Sequence, residues 1–298
     1  MRYGLMTAAY GALLSIMNTF NAELSAVYGN WGATVMIHLT GLLVLAPFAF
    51  TWGRRRASAP WYLYLGGLIG ILTVVFVNVG VSGIGVTGNL VLMLLGQVAC
   101  SAAVDHFGLL GASVHRVNRW KVLAIAVMAC GCGAMAALSG ETLGGGWGLA
   151  AVLSFLSGVT MILARMANAA LATRSGVGYS TVMNYVTGLA GSLLVFACLG
   201  FRLGCAFPAS GQPIWIYLGG ALGALGILLC NLAAPKLPAL QFSVIAFVGQ
   251  IFTGMAIDAM SGRFSLGTLA GGLLVACGMY LNIRADSKEA ADGNADQP

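Results

Sequence analysis

Apolar stretches separated by short polar or glycine-rich breaks follow one another from residue 4 to residue 284. Each is about 20 residues long, the length an α-helix needs to cross the hydrocarbon core of a bilayer. The pattern predicts ten spans, at 4–25, 32–52, 61–80, 86–107, 119–138, 147–171, 179–200, 213–233, 238–260 and 265–284. All six tryptophans (Trp31, Trp52, Trp61, Trp120, Trp147 and Trp215) fall at span ends, where amphipathic rings settle at the membrane interface. The segment 285–298 is small, polar and charged, a composition that buries little apolar surface, so a disordered cytoplasmic tail is expected there.

The ten spans read as one five-span unit written twice. Tyr64-Leu65-Gly66-Gly67-x-x-Gly70 returns as Tyr217-Leu218-Gly219-Gly220-x-x-Gly223, Asn78 as Asn231, Gly96-Gln97 as Gly249-Gln250, and Asp105 as Asp258, each pair 153 residues apart. Nearer the start of each copy the offset is 147: Asn21-Ala22-x-Leu24 returns as Asn168-Ala169-x-Leu171, and Thr40-Gly41-Leu42 as Thr187-Gly188-Leu189. A unit with an odd number of spans, copied in tandem, must face opposite ways across the bilayer. The expected fold is therefore an all-α integral membrane protein, ten transmembrane helices arranged as two inverted five-helix repeats, 1–140 and 141–284. Such repeats place a polar site near the bilayer midplane, as in secondary transporters. Arg2 and the apolar run behind it have the outline of a signal peptide, but the counterpart of that run is an internal span, so the first helix is expected to stay in the mature protein.

Composition supports this reading: 59% of residues are hydrophobic and 7% charged, which excludes an ordinary soluble domain. The 43 glycines fit helices that approach closely in lipid. With the amino terminus inside, the inner side carries Arg2, Arg54, Arg55, Arg56, Arg116, Arg119, Lys121, Arg174, Lys236, Arg284 and Lys288, and the outer side only Arg202 and Arg263. Both termini are therefore expected in the cytoplasm of a multi-pass cell-membrane protein, a bacterial inner membrane being the natural setting. The net charge of +6 is accounted for by these loops and gives no reason to expect nucleic acid. Cys130 and Cys132 point to different faces of a helix, and the histidines lack metal-ligand spacing. No metal or other cofactor is expected.

Candidate chemistry lies inside the spans. Gly4, Gly11, Asn18 and Ser25 form a stripe at seven-residue spacing, matched by Ala151, Gly158, Arg165 and Ala172, with Asn21 and Asn168 on the same faces. A small-and-polar stripe avoids acyl chains and faces protein or water, so cavity lining competes with plain helix packing. Gln97 and Gln250 sit near mid-depth of spans 4 and 9, where an amide offers donors and an acceptor to a polar solute or to a neighbouring backbone. His38 and its counterpart Tyr185 lie in spans 2 and 7, and His38 is a candidate proton relay or a packed polar residue. Glu23, Asp105 and Asp258 lie close to span ends, where water is expected to reach them. They are the candidates for coupling or gating, against interfacial anchoring and structure. A phosphate-binding glycine loop with its lysine is missing, which argues against direct drive by ATP.

Pro60-Trp61-Tyr62-Leu63-Tyr64-Leu65-Gly66-Gly67-Leu68-Ile69-Gly70, Leu95-Gly96-Gln97 and Asp105-His106-Phe107-Gly108-x-x-Gly111 resemble the five-span YdcZ-like proteins of the drug/metabolite transporter superfamily. The first copy matches along most of its length. The second keeps the glycines, the Gly-Gln pair and the aspartate but lacks the histidine. The resemblance implies small-molecule transport by alternating access, with spans 1–4 and 6–9 lining a cavity and spans 5 and 10 peripheral. The family often has glutamine four residues before the first-span asparagine; here those positions are Met17 and Ala164.

The reading that follows is a secondary transporter, in the export direction, of a small polar metabolite or drug, with protons as the candidate coupling ion and an uncoupled facilitator as the alternative. The expected solute-binding set is Asn18, Asn21, His38, Gln97, Arg165, Asn168, Tyr185 and Gln250. A monomer suffices, since one chain supplies both halves, and a homodimer through the peripheral spans stays open. A membrane-embedded enzyme, hinted at only by Asp105-His106, and a non-transporting scaffold are the rival classes.

Overall fold

The computed structural model describes residues 2–52, 58–107, 119–138, 146–199, 211–233, 239–264 and 266–295, and no strand occurs among them. Eight α-helices follow in order among these residues: α1 Arg2–Trp52, α2 Gly66–Phe107, α3 Arg119–Leu138, α4 Trp147–Ser175, α5 Val177–Leu199, α6 Gly219–Ala233, α7 Ala239–Met260 and α8 Leu266–Ala295. Short 3-10 turns, Trp61–Leu65 and Ile214–Leu218, lead into α2 and α6. Each follows a proline, Pro60 or Pro213, whose fixed φ and missing N–H suit the start of a helical turn.

Four of the described helices are long and apolar enough to cross a membrane, and three shorter apolar helices accompany them. Two of the four hold apolar stretches of 46 and 44 residues, about 65–70 Å of helix against a hydrocarbon core of about 30 Å. Each is broken at one glycine: Gly29 in α1 (φ 71°, ψ 161°) and Gly85 in α2 (φ 76°, ψ 173°). A side chain would forbid these angles. At Gly85 the chain doubles back. The Asn89 side chain lies against Gly80, although nine residues of straight helix would separate them by about 13 Å. The loops expected between spans 1 and 2 and between spans 3 and 4 thus contract to single-residue breaks. Gly176, 147 residues after Gly29, has φ 94° and separates α4 from α5.

Helices from the two copies pack reciprocally. Gly11 of α1 lies on the Ala246 carbonyl and the Gln250 backbone of α7, and Gly158 of α4 lies on the Met93 carbonyl and the Gln97 backbone of α2. Gly249 rests on the Ala8 carbonyl, and Gly96 on the Phe155 carbonyl. Gly219 meets Asn21 and Gly66 meets Asn168; Gly41 meets Tyr185 and Gly188 meets His38. A Cβ at Gly11, Gly158, Gly96 or Gly249 would collide with backbone, so glycine sets these crossings. Contact i–j repeated as j′–i′ is the signature of a two-fold relation between like units. To one side, α3 and α8 pair through Gly131 and Gly278. They close a core of Val91, Leu94, Val98, Met128, Phe247, Ile251 and Val275 against α2 and α7.

The helix α8 continues past Arg284, so the tail expected there is helical as far as Ala295. Ala285, Lys288, Glu289, Ala290 and Ala291 are good helix formers propagating from an existing helix.

Candidate functional site

The close crossings bring polar side chains together at the centre. The stripe of α1 faces α7, as its composition suggests: Gly4 approaches Ile245, Gly11 touches the Gln250 backbone, and the Ser15 hydroxyl donates to the Gln250 carbonyl at 2.7 Å. Asn18, Asn21 and Gln250 are all buried, and among the described residues the amide oxygens of Asn21 and Gln250 have no hydrogen-bond partner. In the equivalent crossing of α4 on α2, Arg165 takes the place of Asn18. Its Nη1 reaches Gln97 Oε1 at 3.4 Å while the side chain stays exposed. Asn168 donates from Nδ2 to Asn184 Oδ1 at 2.8 Å, and its carbonyl accepts from the Ser180 hydroxyl at 2.7 Å.

His38 and Tyr185 meet edge to face, ring centroids 6.1 Å apart, and both are buried. His38 Nδ1 lies 2.7 Å from the Thr34 carbonyl. A carbonyl only accepts, so Nδ1 carries the hydrogen, and Nε2 of the neutral ring is an acceptor. Tyr185 passes over Gly41, and its hydroxyl stands 3.1 Å from where a Cβ on Gly223 would be. His38 passes over Gly188 in the same sense but is a shorter side chain.

Glu23 and Asp258 have their partners elsewhere. Glu23 is exposed and accepts from the Trp215 indole at 3.2 Å. The Asp105 side chain lies outside the described residues. Asp258, expected where water reaches it, is instead only 3% exposed. The reason is the break at Gly85. Opening the helix there frees the N–H groups of Val86 and Thr87, and both carboxylate oxygens of Asp258 accept them, at 2.9 and 2.7 Å. Arg263 serves the other side of the break, donating from Nη1 to the Val81 and Ser82 carbonyls at 3.0 and 3.3 Å. The Tyr28 and Tyr217 hydroxyls bond each other at 2.7 Å.

Several of these partners escape a reading based on repeats. Asn184 corresponds to Ile37, and Thr73, bonded to Thr160 at 2.8 Å, corresponds to Gly226. Residues unique to one copy raise no repeat signal. Arg263 reads as one of two outer cations, and only its position five residues after Asp258 hints at a shared role.

A family model matches the chain twice, over residues 3–134 and 149–281, and its description is "Putative inner membrane exporter, YdcZ". No curated protein matches the chain. The two matched stretches cover most of the sequence and coincide with the two repeats. The chain belongs to the YdcZ family of the drug/metabolite transporters, inner membrane exporters, and carries two of its units fused in one polypeptide.

Proposed function

We propose that this protein is a ten-span secondary transporter that exports a small polar solute by alternating access. Its two five-span halves are inverted about an axis in the membrane plane, and both termini are cytoplasmic. The observation that carries this reading is the reciprocal packing of Gly11 on Gln250 and Gly158 on Gln97. It supports a site in which the two paired amides stand at equivalent crossings, and inverted repeats hold their solute where the two units meet. The broken helices α1 and α2 count as two spans each, and with α3 to α8 this makes ten.

Arg165 makes one half of the centre positive. A guanidinium keeps its proton in a protein and has donors to spare beyond Gln97, which favours solutes with an anionic or strongly accepting group. Among the described groups His38 is the candidate for proton coupling, since Glu23 bonds Trp215 and Asp258 caps two backbone N–H groups; Asp105 stays a candidate beside it. Without proton coupling the protein is a facilitator.

The test is a thermal-shift screen of the purified protein against a metabolite library, since a ligand of the native state raises the melting temperature by mass action. Hits are then followed by counterflow in proteoliposomes. Exchange of at least one hit, lost in Gln97→Leu, supports the reading. Ligands that bind tightly and never cross the bilayer would refute it.

A further inference from the structure

The two halves differ at one place where their backbones match. The facing pairs of α2 and α4 run antiparallel: Gly66 meets Asn168, and Thr73 bonds Thr160 at 2.8 Å. Gly70 lies one turn from each, on the same face, and that register sets it opposite Ala164. The equivalent pair in the other half is Gly223 and Met17. There the space is filled: Met17 Sδ and the Tyr185 hydroxyl each stand 3.1 Å from where a Cβ on Gly223 would be. Beside Gly70, by contrast, no atom of the described residues outside its own stretch of helix backbone lies within 4 Å of that position. The opening has a simple cause. Ala164 replaces Met17 and His38 replaces Tyr185, so both filling side chains are truncated in one half only.

Two polar side chains belong to the same part of the fold as this opening. Gly70 lies at mid-depth of its span. His38 is 96% buried and lies over Gly188 as Tyr185 lies over Gly41, so the two-fold relation between the halves sets it on the Gly70 side, and among the described residues its Nε2 has no hydrogen-bond partner. That atom is an acceptor without a donor among them. Next along the chain from Ala164 is Arg165, whose guanidinium makes one long bond, to Gln97.

We propose that the space beside Gly70 is a solute pocket present in one half only. It takes a small solute that offers a hydrogen-bond donor to His38 Nε2 and an anionic group to Arg165, as a hydroxy acid or an amino acid does. Met17 and Tyr185 are the plugs that close the matching space in the other half. The solute's passage rests on the transporter reading above, whereas the pocket is testable without it.

The test maps thiol reactivity by mass spectrometry in the full-length protein. A small, charged methanethiosulfonate reacts with thiolates, which form where water reaches. Ala164→Cys and Gly70→Cys should be modified, and Met17→Cys and Gly223→Cys should not, a difference of at least tenfold in rate. Restoring the plug in Gly70→Cys with Ala164→Met should suppress modification. Lactate and serine should slow modification of Ala164→Cys, while propane-1,2-diol, which lacks the anion, should not. Equal rates at 164 and 17, or no reaction at 164, would overturn the pocket. Reaction at 164 that neither lactate nor serine slows would overturn the solute class. Asymmetric labelling in a protein that fails every counterflow assay would leave the pocket standing and remove the transport reading.

Discussion

At the scale of single residues, a few polar groups in an apolar interior carry the chemistry. Gln97 and Gln250 occupy equivalent crossings but differ in partners. The Gln97 amide oxygen receives Arg165 Nη1, and the Gln250 amide oxygen receives no donor among the described residues. Replacing either with leucine keeps the bulk and removes donors and acceptor. Ligand-induced stabilisation in the thermal-shift assay should disappear in at least one of the two variants while the ligand-free melting temperature changes little; normal binding by both would count against the amides. Arg165 separates two roles by its substitutions. If its forked donors hold the solute, Arg165→Lys, Arg165→Gln and Arg165→Ala should each lose at least tenfold in counterflow rate, because lysine does not reproduce the planar geometry. Full activity in the alanine variant would reduce it to an anchor. His38→Gln should keep counterflow but lose dependence on an imposed pH gradient if His38 relays the proton.

At the scale of elements, glycine decides where helices touch and where they break. Gly11 and Gly158 lie on opposing carbonyls with no room for a methyl group. Gly11→Ala and Gly158→Ala should therefore both destabilise the protein, by similar amounts, since the two contacts are equivalent. The break at Gly85 is held from two sides by residues far along the chain, Asp258 on the freed N–H groups and Arg263 on the freed carbonyls. Asp258→Ala leaves two buried donors unsatisfied, each costing about 1–3 kcal/mol. Asp258→Asn keeps one acceptor and should fall between the alanine variant and the wild type in thermal denaturation. Equal melting temperatures for all three would show that the cap contributes nothing.

At the scale of the whole molecule, the two copies grip one another rather than folding side by side. Each unit offers the carbonyls that the other's glycines rest on, so neither half buries its small-residue stripe alone. Reporter fusions at residues 1 and 298 should both read as cytoplasmic under the proposed topology. A periplasmic carboxyl terminus would require an odd number of spans and would break the inverted arrangement.

The apolar stretches, the tryptophans at their ends and the two constant offsets were enough to show a helical membrane protein made of two related units, because the bilayer imposes helix length and interfacial chemistry on sequence directly. The stripe of Gly4, Gly11, Asn18 and Ser25 likewise announced a protein-facing surface. What it could not announce was the partner. That α1 meets α7 and α4 meets α2 is a choice among many helix pairs, settled by contacts distant in sequence, such as Ser15 with Gln250, 235 residues apart, and Arg165 with Gln97, 68 apart. The burial of Asp258 was invisible for the same reason, since its acceptors are wanted by a helix break 172 residues earlier. The difference between Gly70 and Gly223 lies furthest from sequence. Both stand in the same motif, and only the side chains brought opposite them by the fold leave one space open and close the other.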